Sequence, residues 1–213
     1  MIDWAWIGGH LDDIAAATGQ HVELTAIAVL GGLAISVVLA LLIHRDRRAY
    51  APVTAVAGLI YTIPSLALFA LLVPITGLSI LTAEIGLIGY TLLILVRNIV
   101  AGLDAVPPEA REAATAMGYS VTGRLLRVEI PLALPVIVAG LRVATVTTIG
   151  LVMVTELIGE GGLGRLMLRG FVLQNYTAVY VGTALSIALA ILADAGFIGL
   201  LRAATPWRRA ASR

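Results

Sequence analysis

Long charge-free stretches alternate with short charged clusters along the chain, and their lengths predict its elements. Residues 24–43 carry no charge; at ~1.5 Å per residue these positions cover the roughly 30 Å hydrocarbon core of a bilayer as one helix. Arg45, Arg47 and Arg48 follow at once. The next uncharged run, from Arg48 to Glu84, is too long for one helix, and Pro74 with Gly77 supplies a break that puts a second span at 51–73. Only 85–96 is then free of charge, so a third span must recruit neighbours and take 78–96, with Glu84 near its outer end. A polar loop over 97–130, a fourth span at 132–155, a glycine-rich connector at 156–175 and a fifth span at 178–201 complete the pattern. The expected fold is all-α and integral to the membrane, with five transmembrane helices in a single domain over 1–213. Residues 1–20 hold Asp3, Asp12 and Asp13 but no arginine, which predicts a partly helical extracytoplasmic lead-in and not a signal peptide. Trp4 and Trp6 suit the aromatic belt at the interface.

Arginine placement orients this pattern. With the polar loop in the cytoplasm, the inner segments hold Arg45, Arg47, Arg48, Arg97, Arg111, Arg124, Arg127, Arg202, Arg208, Arg209 and Arg213. The outer segments hold only Arg165 and Arg169, and Arg142 falls inside a span. That bias places the N terminus outside and the C terminus inside. Neither a second domain nor an internal repeat is visible, which weighs against an inverted-repeat secondary transporter.

Composition sharpens the class. The chain is 60% hydrophobic and 13% charged over 213 residues, about half the charge of an ordinary soluble domain. A net charge of +1 with dispersed basic residues gives no reason to expect nucleic acid as a partner; membrane lipid is the expected surroundings. There is no cysteine, so disulfides, thiolate metal sites and cysteine nucleophiles are excluded. All 14 basic residues are arginine. Without lysine the chain has no Walker A loop and no Schiff-base chemistry, so any ATP that drives it is hydrolysed on another chain. His10, His21 and His44 lack metal-ligand spacing and suit interfacial or capping roles; no metal or other cofactor is expected on this chain. No Ser/His/Asp arrangement and no paired carboxylates in a water-excluded place support an intramembrane enzyme.

The polar island at 106–135, VPPEAREAATAMGYSVTGRLLRVEIPLALP, carries the most local information. Pro107 and Pro108 suit a first helical turn, and Glu109 and Glu112 put negative charge at the positive end of its dipole. Ala110, Ala113, Ala114 and Ala116 favour helix, and Gly118 is the natural stop. Ser120 can cap a second short helix with Val121, Leu125 and Val128 on one face, Arg124 and Arg127 pointing elsewhere. The expected result is two short helices with a glycine corner.

This spacing resembles the EAA loop of ABC importer permeases: Glu112-Ala113-Ala114, three residues, Gly118, nine residues, then Val128-Glu129-Ile130-Pro131. The family usually has Ile and Leu where Val128 and Ile130 stand, both conservative departures. The run TIPSLALFALLVPITGL resembles the second span of permeases from the glycine betaine, carnitine and choline branch. There Tyr61, Pro64 and Ser65 are candidates for a translocation path or gate; a packing kink at Pro64 is the plainer alternative. The run LIGEGGLGRLMLRGF, 157–171, looks like the segment that lies near the pathway in this branch, although Glu160 stands where a small residue is more usual. Its formal G-x-G-x-x-G over 159–164 follows no strand and faces outward, so it reads as a turn of close backbone approach and not as a nucleotide site. Arg142 and Asp194 lie at similar depth, which makes them a candidate intramembrane pair, either structural or a proton relay.

The resemblance covers 21–201 and implies a five-helix permease fold of the methionine-importer type in a bacterial cytoplasmic membrane. It further implies a second permease, identical or related, a cytoplasmic dimer of ABC ATPase subunits that binds ATP and Mg, and an extracytoplasmic substrate-binding protein. The implied cargo is a small osmoprotectant such as glycine betaine, carnitine or choline. Another small solute such as methionine or ergothioneine, or ATP-independent transport or a channel through Arg142 and Asp194, are the alternatives. Glu112, Ala113, Ala114 and Gly118 are the residues expected to couple the ATPase: small alanines for a close fit, one charge, and a corner. With 12 aromatic residues, several at interfaces, an aromatic cage for a quaternary ammonium belongs more naturally to the binding protein.

Overall fold

The computed structural model describes residues 2–205, so the arginines at 208, 209 and 213 lie outside the described residues. After a short helix α1 (Trp4–Gly9), capped by the Asp3 side chain on the N–H groups of Ala5 and Trp6, the chain enters α2 (Leu11–Arg45). The first span is thus the inner part of a 35-residue helix, and the second half of the lead-in is continuous with it. Asp12 and Asp13 in its first turn and His44 and Arg45 in its last complement the helix dipole.

A three-residue turn, Arg47–Ala49, leads into α3 (Tyr50–Thr62) and α4 (Ser65–Thr76). The sequence predicts one kinked span over 51–73; the structure instead has two helices meeting at 98°. Pro64 cannot donate a backbone hydrogen bond and forces the preceding residue out of the helical region. Ile63 and Pro64 are accordingly extended, with ψ of 127° and 136°. Gly77, at φ 74°, ends α4. Counting this bent pair as one span with the four long apolar helices gives five among the described residues.

Helix α5 (Ile80–Asp104) opens on a Ser79 cap that accepts from the Thr82 N–H and continues past Arg97 to Asp104, so helix occupies the first part of the predicted polar loop. The reason is packing: Val100 and Leu103 on these inner turns are buried with Ala40, Ile43 and Ala133. Two short helices, α6 (Pro108–Ala116) and α7 (Val121–Arg124), then pass through one wide turn at Leu125–Glu129 into α8 (Ile130–Val152). A tight turn at Val154–Ile158, α9 (Leu163–Val172) and α10 (Tyr176–Ala204) follow.

Helices α2, α5 and α8 form the centre. Their inner ends share the cluster around Ile43, Val96 and Val100, and their outer ends share one around Leu24, Leu87 and Val152 that Phe69 of α4 completes. Without a hydrophobic driving force between helices in lipid, close approach depends on small residues. A Cβ at Gly140 of α8 would sit 2.4 Å from the Asn98 side chain of α5, so glycine lets these two spans touch. Helix α10 differs, for the most apolar stretch of this span has no buried residue and lies at the edge of the bundle.

Candidate functional site

The polar corner is built mostly by local rules. Pro107 precedes α6, with Pro108 in its first turn, and Gly118 at φ 80° terminates it. The N–H of Tyr119 reaches the Ala114 carbonyl at 3.1 Å and that of Gly118 reaches Thr115 at 3.0 Å, a pairing that satisfies the last carbonyls of the helix and requires a left-handed residue. Ser120 then caps α7 by accepting from Gly123 at 3.1 Å.

One residue holds this corner to the membrane helices. Glu129 is fully buried and lies among three basic side chains. Arg124 Nε donates to its Oε1 at 2.8 Å, Arg111 Nε lies 3.4 Å from Oε2 without hydrogen-bond alignment, and His44 Nε2 is 4.0 Å away. The same arginines reach further. Arg111 Nη2 donates to the Leu103 carbonyl at the end of α5 at 2.5 Å, and Arg124 Nη1 donates to the Thr115 hydroxyl on α6 at 3.1 Å. The inner end of α2, both short helices and the start of α8 therefore meet around one carboxylate, and Arg111 extends the contact to the end of α5. A buried charge is tolerable only when paired in this way.

With its inner side so committed, the corner presents the other side to water. Glu109, Glu112, Ala113 and Gly118 are exposed, and Met117, Val121 and Leu126 stand out as uncovered apolar side chains. Of the four residues expected at the corner, Ala114 is the exception: it is 1% exposed and turns toward the bundle, because it lies about 100° round the helix from Ala113. Sequence reading missed Glu129 as the anchor, although it stands inside the quoted motif as the one acidic residue in a basic, apolar stretch.

The other candidate residues lie elsewhere. Tyr61, Pro64 and Ser65 mark the bend between α3 and α4, where Tyr90 of α5 donates from its hydroxyl to the Ile63 carbonyl at 2.5 Å. Tyr61 stacks edge-on against Tyr90 at 6.0 Å. Proline opens the bend, and this tyrosine, absent from the sequence argument, ties it to α5. Arg142 and Asp194 meet in a two-pronged ion pair, Nε to Oδ1 at 2.7 Å and Nη2 to Oδ2 at 2.9 Å, joining α8 to α10.

At the outer end, the glycine-rich turn is a packing device. A Cβ at Gly164 would stand 2.4 Å from the Met153 carbonyl oxygen, and Gly162, at φ 50°, lies against the His21 backbone. His21 is buried; its Nε2 lies 3.1 Å from the Ile149 carbonyl, and its Nδ1 accepts from the Leu163 N–H at 3.4 Å, so it caps α9 from across the bundle. Glu160 accepts from Gln20 at 2.8 Å. Among the described residues no three His, Asp or Glu side chains are grouped to hold a metal ion.

Residues 32–202 match the family described as binding-protein-dependent transport system inner membrane component. The chain is 40% identical to the osmoprotectant import permease protein OsmW of Salmonella typhimurium over 85% of its length and 86% of that protein's. It is 38% identical to the choline transport system permease protein OpuBD of Bacillus subtilis, over 90% of this chain and 85% of that one. Its fold is similar to that of a chain in inward-facing crystals of the MetNI methionine ABC transporter, with a TM-score of 0.78 at 20% identity over 96% of this chain and all of that one.

Proposed function

The chain belongs to the family of binding-protein-dependent transport system inner membrane components, and from that premise we propose that it is the permease for uptake of a small osmoprotectant such as glycine betaine, carnitine or choline. The coarser statement is secure: it is a multi-pass permease subunit of an ABC importer in the inner membrane, and hydrolysis of ATP resides on another chain. Relatives named for osmoprotectant and choline transport support the finer one.

The observation that carries the mechanism is the exposed corner braced on Glu129. In our reading, Glu109 and Glu112 with Ala113 dock in a groove of the cytoplasmic ATPase, and the apolar side chains of Met117 and Val121 fill it. The closure of two ATPase subunits on ATP and Mg moves the corner, and because Arg111 ties it to the Leu103 carbonyl of α5 and Arg124 ties it to Glu129 at the start of α8, the spans move with it. A second permease completes the pathway and an extracytoplasmic binding protein delivers the cargo. The bend at 61–65 is the gate candidate on this chain, because two extended residues between helices turn more easily than an unbroken helix.

Uptake of radiolabelled glycine betaine, carnitine and choline, with methionine and ergothioneine as competitors, into proteoliposomes holding the complete transporter tests the cargo. Uptake of at least one of the first three, dependent on ATP and on the binding protein, is expected. Uptake of only methionine or ergothioneine would overturn the substrate reading, and uptake without ATP would overturn the mechanism.

A further inference from the structure

We propose that the cavity between the start of α2 and α9, at the outer end of the bundle, holds one zwitterionic phospholipid, its phosphate against Arg165 and Arg169 and its ammonium against Asp13. The cavity measures about 310 Å³ and draws on four helices, with Trp6 from α1, Asp13 from α2, Arg165 and Arg169 from α9, and Ala178 from α10. Its frame is fixed. The Asp3 N–H donates to the Thr177 hydroxyl at 3.0 Å and fastens α1 to the start of α10. His10 holds Trp6 in place, its ring stacked on the indole at 4.4 Å and its Nδ1 2.7 Å from the Trp6 carbonyl oxygen.

The charges that line the cavity are not satisfied within the chain. Asp13 stands on one helix and Arg169 on the other, and among the described residues neither side chain makes a hydrogen bond or an ion pair. Arg165 is partly used: it donates to the Gln20 side chain at 3.2 Å and lies 3.7 Å from Glu156. Two arginines against one aspartate make the wall net positive, with the opposite charges on separate helices. A ligand that meets both carries an anion and a cation on one molecule, which is the chemistry of a zwitterion.

The surroundings decide which zwitterion. Trp4, Tyr176 and Tyr180 are exposed at this end of the bundle, as aromatic side chains are at the headgroup level of a membrane. Leu11, Phe171, Val172 and Leu173 are exposed beside them, and Leu173 lines the cavity itself. Water would solvate Arg169 and leave this apolar rim uncovered, whereas a phospholipid covers the rim with acyl chain while its phosphate reaches the guanidinium groups. A partner protein needs a broad contact of about 800 Å² on each side. This hollow instead lies at the small end of the range for single ligands, roughly 300–1,000 Å³.

Bound in this way, the lipid joins α2 to α9 through charges that the chain leaves apart, so occupancy and stability are linked. Arg169 is the position to change, because its side chain has no partner to lose, whereas Arg165 also holds Gln20. The complete transporter, purified through its ATPase and stripped of lipid in detergent, is titrated with three probes. These are phosphatidylethanolamine, phosphatidylglycerol, and glycerophosphoethanolamine as the headgroup without acyl chains. Native mass spectrometry reads binding, and thermal unfolding reads stability.

The expected result is saturable binding of phosphatidylethanolamine with a rise in unfolding temperature, weakened roughly tenfold in Arg169→Ala. Asp13→Asn should bring phosphatidylethanolamine down to the level of phosphatidylglycerol. Unchanged binding in Arg169→Ala overturns the site, and a preference for phosphatidylethanolamine that survives Asp13→Asn overturns the ammonium contact. Equally tight binding of glycerophosphoethanolamine overturns the lipid and marks the cavity as a place for a soluble zwitterion. Loss of binding-protein capture in Arg169→Ala, with lipid binding intact, overturns it in favour of a protein surface.

Discussion

Glu129 and Asp194 are both carboxylates held by arginine, and their settings are opposite. Glu129 lies at the inner end of the bundle, fully buried, with basic groups from three separate segments around it. Asp194 lies deep in a span, a third open, with one arginine. The difference teaches how each charge is held. Glu129 gathers ion pairs from several elements but leaves its Oε2 without a hydrogen bond, whereas Asp194 has both oxygens bonded to one arginine and stays open on one side.

The comparison breaks most readily at Glu129. Glu129→Ala strands Arg111 and Arg124 beside an apolar site, a loss of about 3 kcal/mol or more, which corresponds to a drop of roughly a hundredfold or more in correctly built corners. ATPase recovered per permease on co-purification should fall accordingly, and Glu129→Gln should fall between the two. If neither variant loses ATPase, the corner is not built on this residue.

Asp194→Ala should cost less, because both partners in this pair remain partly open and solvent screens them. Thermal unfolding of the assembled transporter would show the shift. The reciprocal exchange, Arg142→Asp with Asp194→Arg, should restore assembly lost in either single reversal; a double variant as defective as the singles would contradict the pairing. Gly118→Val comes next. A Cβ there meets open space, so its cost is backbone strain alone, about 1–2 kcal/mol for a β-branched residue at φ 80°. Insertion into the membrane should survive while transport per ATP hydrolysed falls, which separates the corner's shape from its anchorage; normal coupled uptake would remove Gly118 from the mechanism.

The smallest effect is expected at Tyr90→Phe, which deletes the hydrogen bond to the Ile63 carbonyl and keeps the ring against Tyr61, for about 1 kcal/mol. A change in uptake rate larger than the change in stability would mark the bend as a moving part. No change in either would leave it as packing.

The same contrast explains what was legible in the sequence. Spans announce themselves by the absence of charge, and the corner by Gly118 and Ser120, because caps and stops act within a few residues. Glu129 gives no such signal: its partners come from α2, α6 and α7, and only the folded chain brings His44 within 4.0 Å of it. Pro64 was readable as an interruption, but the 98° angle is settled by packing with α5, where Tyr90 fastens the bend. Ala114 looked equivalent to Ala113 until helix phase turned it inward. The inner limit of the third span was misjudged because Arg97 reads as a boundary, whereas a helix runs through a single charge when its other face is buried.

The central claim, that the corner is where the ATPase docks, is tested most directly by site-specific cross-linking. The cysteine-free chain permits a single Ala113→Cys, compared with Leu78→Cys at the outer end, in a transporter shown to take up its substrate. The account predicts a cross-link from position 113 to the ATPase, and none from position 78. A transporting complex in which position 113 never reaches the ATPase would contradict it.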